Sequence, residues 1–338
     1  MNHLPMASDS DALVIRRPKS QPPGTRRIRL LVSACLLGEK VRYDGQHKYD
    51  SFLVEELGRF VEWQPICPES DCGMPTPRPS MHLLGDRDAP RLVSRTGVDL
   101  TAQMQRFTEQ RLRALEGAEL CGYVCKKDSP SSGMARVKVY DERGMAERAG
   151  VGLFTGAFMQ RFPLVPVEEE GRLHDPGLRE AFIERVFCRR RWLDLVQGGR
   201  SRRRLIQFHT DHKFLLLAHG AAGYALLGRL VATAKRYDVE ELFAAYEEGF
   251  MAALARRATA TKVSNVLEHM LGFCKTQLTH DEKSELLDAI AAYRSGLVPV
   301  LVPLTLIKHY VRKYGVAYLA RQTFLAPYPE ELMLRNHV

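Results

Sequence analysis

From residue 28 to residue 125 short apolar runs alternate with loops of Gly, Pro, Ser or Cys and with stretches of helical spacing, without an internal repeat. The runs Ile28–Ser33, Val61–Ile66, Arg91–Ser94 and Leu120–Cys125 are too short for helices and rich in Val, Ile and Leu, which marks them as strands. Helices over 49–58, 100–115 and 152–161 and a further strand over 136–140 complete the pattern. Alternation of this kind predicts an α/β domain on a mainly parallel sheet with helices on its faces. Such sheets gather ligands beyond the carboxyl ends of their strands.

After Pro166 the strand signal stops, and the segments 176–196, 203–235, 239–257, 262–274, 281–294 and 303–314 all carry helical spacing. Asp175 before Pro176 is an N-cap followed by proline at the first helical position, and Asp281-Glu282 places two acids at the positive end of a later helix. The expected organisation is a flexible leader over 1–27, an α/β domain over 28–168 and an all-α basic domain over 169–338, with the boundary near 166–175. No run reaches the roughly 20 apolar residues of a bilayer span, and the first residues lack the basic start and apolar block of a secretory signal. Seven cysteines, an odd number in a chain of 338 residues, speak for reduced thiols and a cytoplasmic setting rather than a disulfide framework. The formal net charge of +9 is concentrated late: from Glu170 onward 25 Lys and Arg face 18 Asp and Glu, a weak pointer to an anionic partner such as nucleic acid.

Three strand-end loops hold the chemistry. Ser33-Ala34-Cys35-Leu36-Leu37-Gly38 follows the first strand, Cys67-Pro68-Glu69 the second, and Asp128-Ser129-Pro130-Ser131-Ser132-Gly133 the strand that ends at Cys125. In a parallel sheet all three open on one rim, where thiolates from distant positions can meet around one metal or cluster. Read alone, Cys35 and Cys67 are equally at home as small buried apolar residues. Glu69 reads either as a solvated loop acid or as a carboxylate whose pKa is raised toward working pH beside a cluster.

These loops, together with Arg42-Tyr43-Asp44-Gly45 and Pro77-Arg78, resemble the thiouracil desulfidase family across about residues 28–165. The resemblance implies a four-iron, four-sulfur (4Fe-4S) cluster held by three cysteines, with one iron open to the sulfur of a thiolated base, and a non-redox exchange of that sulfur for water. It implies Cys35 and Cys67 as ligands, Glu69 as general acid/base and Ser129 as a residue that holds the substrate or the attacking water. The family motif ends Ser-Pro-Ser-Cys-Gly, and this chain carries Ser132 at the position of the third cysteine. A hydroxyl is a harder and weaker ligand for iron than a thiolate, so three accounts of Ser132 compete: an engineered Cys-to-Ser change that leaves an inactive variant, a natural rewiring with Cys72 or Cys125 as the replacement, or loss of activity. Arg42, Tyr43, Asp44, Arg78 and Lys127 are polar groups suited to a base, ribose or phosphate; Asp44 is equally an Asx-turn residue of its own loop.

In the helical half, His209, His212 and His219 read as a surface or nucleic-acid-facing group, with a zinc site the minor alternative. Arg189-Arg190-Arg191 and the run from Arg200 through Arg202, Arg203 and Arg204 form the densest positive segments, either a solvated linker or a phosphate grip. Lys262, Asn265, His269, Lys308, His309 and Lys313 complete the expected RNA contacts. This half resembles the helical domain of unknown function fused to thiouracil-desulfidase-like domains in tRNA 4-thiouridine desulfidases, which implies tRNA or a thiolated nucleoside as substrate. A base buried in tRNA would have to leave its stack to be reached. Two other readings stand beside this one: desulfidation of free thiouracil or thionucleosides only, and a catalytically degenerate RNA-binding protein.

Overall fold

The computed structural model describes residues 27–337, so the leader expected over 1–27 lies outside the described residues except for Arg27. Strand β1 (Ile28–Ser33) is central in a four-stranded sheet, flanked by β2 (Val61–Ile66) and β5 (Leu120–Cys125), with β8 (Val167–Glu169) outside β5. Every pairing in it is parallel, with Ile28 opposite Val61 and Ser33 opposite Ile66 in one pair and Tyr123 opposite Val167 in another. This is the parallel sheet that the alternation predicts, and its strands therefore end on one rim.

Side chains alternate across a strand, and the two faces of the sheet are sealed by different helices. Ile28, Leu30 and Val32 pack with Val124 against Phe182, Ile183 and Val186 of α4 (Pro176–Gln197). Leu31, Ile66, Tyr123 and Cys125 pack against Leu112 and Leu115 of α2 (Thr101–Leu115) and Phe154 and Phe158 of α3 (Leu153–Arg161). A central strand apolar on both faces is what a parallel sheet covered on both sides requires.

A second sheet was not foreseen. Its order is β4 (Arg91–Ser94), β3 (Met81–Leu84), β6 (Val137–Tyr140), β7 (Ala146–Gly150), with the β3–β6 pairing parallel and the others antiparallel. The helix expected over 49–58 is a π-helical turn, Phe52–Glu56, followed by a 3-10 turn.

The chain then continues through α5 (Arg202–His219), α6 (Ala221–Ala232), α7 (Val239–Leu254), α8 (Ala260–Cys274), α9 (His280–Arg294), α10 (Leu301–Lys313) and the short α11 (Ala317–Ala320). The single helix expected over 203–235 is broken at Gly220, whose φ of 148° lies outside helical space. Asp175 caps α4 by accepting the Leu178 N–H, while the later helix that opens at His280 is capped by Thr279 in a reciprocal box with Glu282. Trp192 of α4 stacks on Tyr246 and meets Phe208 and Phe250, so one helix covers the sheet with its first half and enters the helical core with its second. Tyr328, Leu332 and Leu334, near the end of the chain, return to the cluster under β1 and α4.

Candidate functional site

The carboxyl ends of β1, β2 and β5 open on a cavity of about 360 Å³ lined by Cys35, Arg42, Tyr43, Cys67, Glu69, Arg78, Lys126, Lys127 and the loop from Asp128 to Ser132. Cys35 sits in a tight 3-10 turn, Ala34–Leu37, entered directly from β1. Burial, with the Cys67 thiol nearby, pushes the Cys35 thiol up to about 12. Cys67 caps the four-residue helix α1 (Pro68–Asp71), and its N–H donates to the Asp71 carboxylate at 3.2 Å. That turn carries Glu69 into the cavity.

Glu69 is held from two sides. Arg78 donates to Oε2 through Nη2 at 2.6 Å and Nε at 3.1 Å, and the Ser131 hydroxyl donates to Oε1 at 2.8 Å. The remaining donors of Arg78 go to the carbonyls of Val41 and Pro75 and to Thr76 and Ser70. Expected as a substrate contact, this buried guanidinium has its hydrogen bonds taken up by the protein itself. Asp44, also expected there, does not line the cavity: its Oδ1 accepts the Gln46 N–H at 3.1 Å, the Asx turn of its own loop, and it pairs with Arg42 at 3.4 Å.

The serine loop is fixed by its neighbours. Ser129 Oγ accepts the N–H groups of Ser131 and Ser132 and lies 3.0 Å from Ser131 Oγ, so Ser129 reaches Glu69 through Ser131 rather than directly. The Pro130 and Ser131 carbonyls accept the Leu153 and Phe154 N–H groups at the start of α3, and Thr155 donates to the Ser132 carbonyl at 2.7 Å. A Cβ on Gly152 would lie 2.6 Å from backbone atoms of Ser131 and Ser132, so only glycine lets α3 begin directly against this loop.

Two acids from the end of β8 and just beyond it complete the frame. Glu169 accepts the Met134 N–H at 2.9 Å, while the Glu170 carboxylate takes the Lys127 N–H at 2.6 Å and pairs with the Lys126 ammonium. Ser131, Lys126, Glu169 and Glu170 were missed in the sequence. A three-acid run after a valine at Val167 was the available signal for the last two.

At the three positions of the family's cluster ligands the cavity presents two thiols and a hydroxyl, Cys35, Cys67 and Ser132. Two sulfur donors on one rim suit iron, and the set fits a 4Fe-4S cluster at two of its three expected protein corners. The replacement candidates face elsewhere. Cys72 Sγ lies 3.2 Å from the Glu69 carbonyl and packs toward Met74 and Leu83, and fully buried Cys125 lies 3.5 Å from the Glu168 carbonyl; neither lines the cavity.

The histidines of α5 are corrected by the structure: all three are buried rather than surface-facing, because α5 packs against α6, α7 and α8. His212 Nδ1 lies 2.7 Å from the Phe208 carbonyl, His209 meets the Tyr246 hydroxyl, and His219 pairs with Glu184 at 2.6 Å. Among the described residues no group of three or more His, Cys, Asp or Glu converges on a metal position.

Most of the expected RNA contacts are similarly occupied. Arg202 donates to the Ala234 and Tyr237 carbonyls, Arg204 to that of Gly199 and Lys262 to those of His219 and Arg257. Lys308 pairs with Glu330, and Lys313 with Glu282. Arg189 and Arg190 turn inward, Arg189 onto the Leu120 carbonyl and Glu247, Arg190 onto Asp194. Of the five basic residues singled out as the RNA grip, Arg203 alone is exposed with no hydrogen bond or ion pair.

Against known proteins, the 2-thiouracil desulfurase family matches residues 30–170, and the family described as a protein of unknown function (DUF1722) matches residues 213–329. The uncharacterized protein YbgA of Escherichia coli (strain K12) is 29% identical over 158 residues, 46% of this chain and 94% of that protein. The solved structure of a 4Fe-4S-dependent thiouracil desulfidase, TudS, is 34% identical and covers 44% of this chain and 95% of its own, with a TM-score of 0.37.

Proposed function

Because the chain belongs to the 2-thiouracil desulfurase family through residues 30–170, with a DUF1722 region behind it, we propose that it removes sulfur from a thiolated uracil, with 4-thiouridine in tRNA as the preferred form. The observation that carries the reading is the convergence of Cys35, Cys67 and a fixed Glu69 on one cavity at the carboxyl rim of the parallel sheet. Cys35 and Cys67 would hold the 4Fe-4S cluster, whose open iron supplies a Lewis acid for the substrate sulfur. The reaction exchanges C=S for C=O: one water adds, sulfide leaves and no electron is transferred.

Glu69 is the general base in this proposal. With Oε2 fixed by Arg78 and Oε1 meeting Ser131, its carboxylate has one orientation in which to take a proton from water and return it to the departing sulfur. Ser129 and Arg78 act by positioning, Ser129 through Ser131 and Arg78 on Glu69 directly. Arg42 and Lys127, on the cavity wall, are the groups left to meet ribose or phosphate. The formal charge of +9 supports an anionic substrate such as RNA.

The test is anaerobic turnover of 4-thiouridine-containing tRNA beside free 4-thiouridine, read as sulfide release and loss of thiouridine absorbance. Faster turnover of tRNA is expected. Turnover of the nucleoside alone would restrict the substrate to free thionucleosides, and turnover of neither by iron-loaded protein would sink the desulfidase reading.

A further inference from the structure

The proposed cluster leaves one corner of the site without a cysteine, and the structure narrows what can stand there. Cys72 and Cys125 are the nearest spare thiols in the sequence, yet the first packs toward the second sheet and the second lies between β5 and β8, outside the cavity. The remaining cysteines Cys121, Cys188 and Cys274 are buried in the two cores. No histidine lines the cavity, and the two carboxylates that do are engaged, Glu69 by Arg78 and Ser131 and Asp128 by Arg148. At the position of the missing cysteine, Ser132 lines the cavity beside Ser129 and Ser131, on a loop whose backbone is fixed by Ser129, Thr155 and the start of α3.

We infer that Ser132 is the third protein donor, an oxygen, so that this chain binds its cluster through Cys35, Cys67 and Ser132. The inference rests on the desulfidase reading for the presence of a cluster and goes beyond it in assigning the third ligand. The bond that forms is from Ser132 Oγ to iron, its hydroxyl proton leaves to water, and no electron moves. The Ser132 N–H and carbonyl bond to Ser129 and Thr155, so the backbone is held on both sides of the residue, while its hydroxyl lies 3.3 Å from Ser131 Oγ. An oxygen donor holds iron less firmly than sulfur, so the site is built for a cluster more easily lost than a three-thiolate one.

The experiment is anaerobic reconstitution with ferrous iron and sulfide of the full chain and of Ser132→Ala, Ser132→Cys and Cys72→Ala, read as iron and sulfide per chain, Mössbauer spectrum and rate of iron loss to a chelator. Circular dichroism checks that each variant is folded. Wild-type protein is expected to show one iron in an oxygen-containing environment that disappears in Ser132→Ala. Ser132→Cys should lose iron about 10-fold more slowly or better, given that even outer contacts change metal affinity by 10–100-fold, and Cys72→Ala should match wild type. Identical spectra and retention in wild type and Ser132→Ala would overturn the assignment, as would loss of iron in Cys72→Ala. Iron uptake by Ser132→Cys but not by wild type would also overturn it while leaving the cluster reading intact. If neither takes up iron and sulfide, the cluster reading itself fails.

Discussion

Both halves of the molecule bury carboxylates beside cations, but to different ends. At the sheet rim, Glu69, Arg78 and Ser131 form a network with one side open to a cavity that also receives two thiols. In the helical half, Glu184 takes His219 and Arg335, and Glu180 takes Arg335 and the Tyr328 hydroxyl, so these acids are satisfied by groups that join α4, α5 and the end of the chain. Burial opposes charge on both members of the Glu184–His219 pair, yet each holds the other ionised, with Glu184 below and His219 above its ordinary pKa. A buried ion pair is thus no sign of a reaction centre by itself. What separates the two networks is their company: Glu180, Glu184, His219 and Arg335 also line a cavity, of about 420 Å³, but no thiol shares it, whereas Glu69 faces Cys35 and Cys67.

That contrast can be broken most directly at Glu69. Glu69→Gln keeps an acceptor for Arg78 but removes the base, and sulfide release should fall by about 10²–10⁴-fold with iron content unchanged; steady-state assays on reconstituted protein read it. Glu184→Ala should do the opposite, costing about 3–5 kcal/mol of stability by stranding buried charge while turnover per folded molecule holds in the cold. Denaturant melts and active-site titration separate the two effects, and a catalytic loss at Glu184 matching that at Glu69 would erase the distinction.

Acid should sharpen it further. Burial, first, holds His209 down to about 4 and His212 down to about 3, against 6.5 for the free side chain. Between pH 6.5 and those values the unfolded chain is the better proton binder, so this contribution is complete above pH 6.5 and is lost as pH falls through the window. His219 works the other way: its contribution is present at low pH and fades as pH rises through its raised folded pKa. Melting temperature followed from pH 7 to 4 should drop, and His212→Phe should flatten the drop; an unchanged slope would remove His212 from the account. The smallest effect is expected at Arg203, where alanine should lower the salt slope of tRNA binding by about 1, read by affinity at several ionic strengths.

The legible parts of the fold were those with strong local signals. β1 is short and aliphatic, β2 and β5 are short runs that lead into Cys67 and end at Cys125, and Asp175-Pro176 announces α4. The second sheet was hidden because β7 is Ala-Glu-Arg-Ala-Gly, mostly exposed and charged, and β3 has no β-branched residue. β8 was hidden because two of its three residues are acids that turn out to be buried against backbone donors and Arg172. At the site, Cys35, Cys67 and Ser132 were visible as strand-end residues of one motif set. The partners of Arg78, Arg202 and Lys262 were not, because a cation in a sequence says nothing about which carbonyl will face it.

The return of Tyr328, Leu332 and Leu334 to the face of β1 has a consequence in time rather than in space. β1 leaves the ribosome among the first described residues, and the last pieces of its cover follow more than a hundred residues after β8. Throughout that interval the nascent sheet has an unfinished apolar face, and the site rim matures on a scaffold completed only after the helical half has been made.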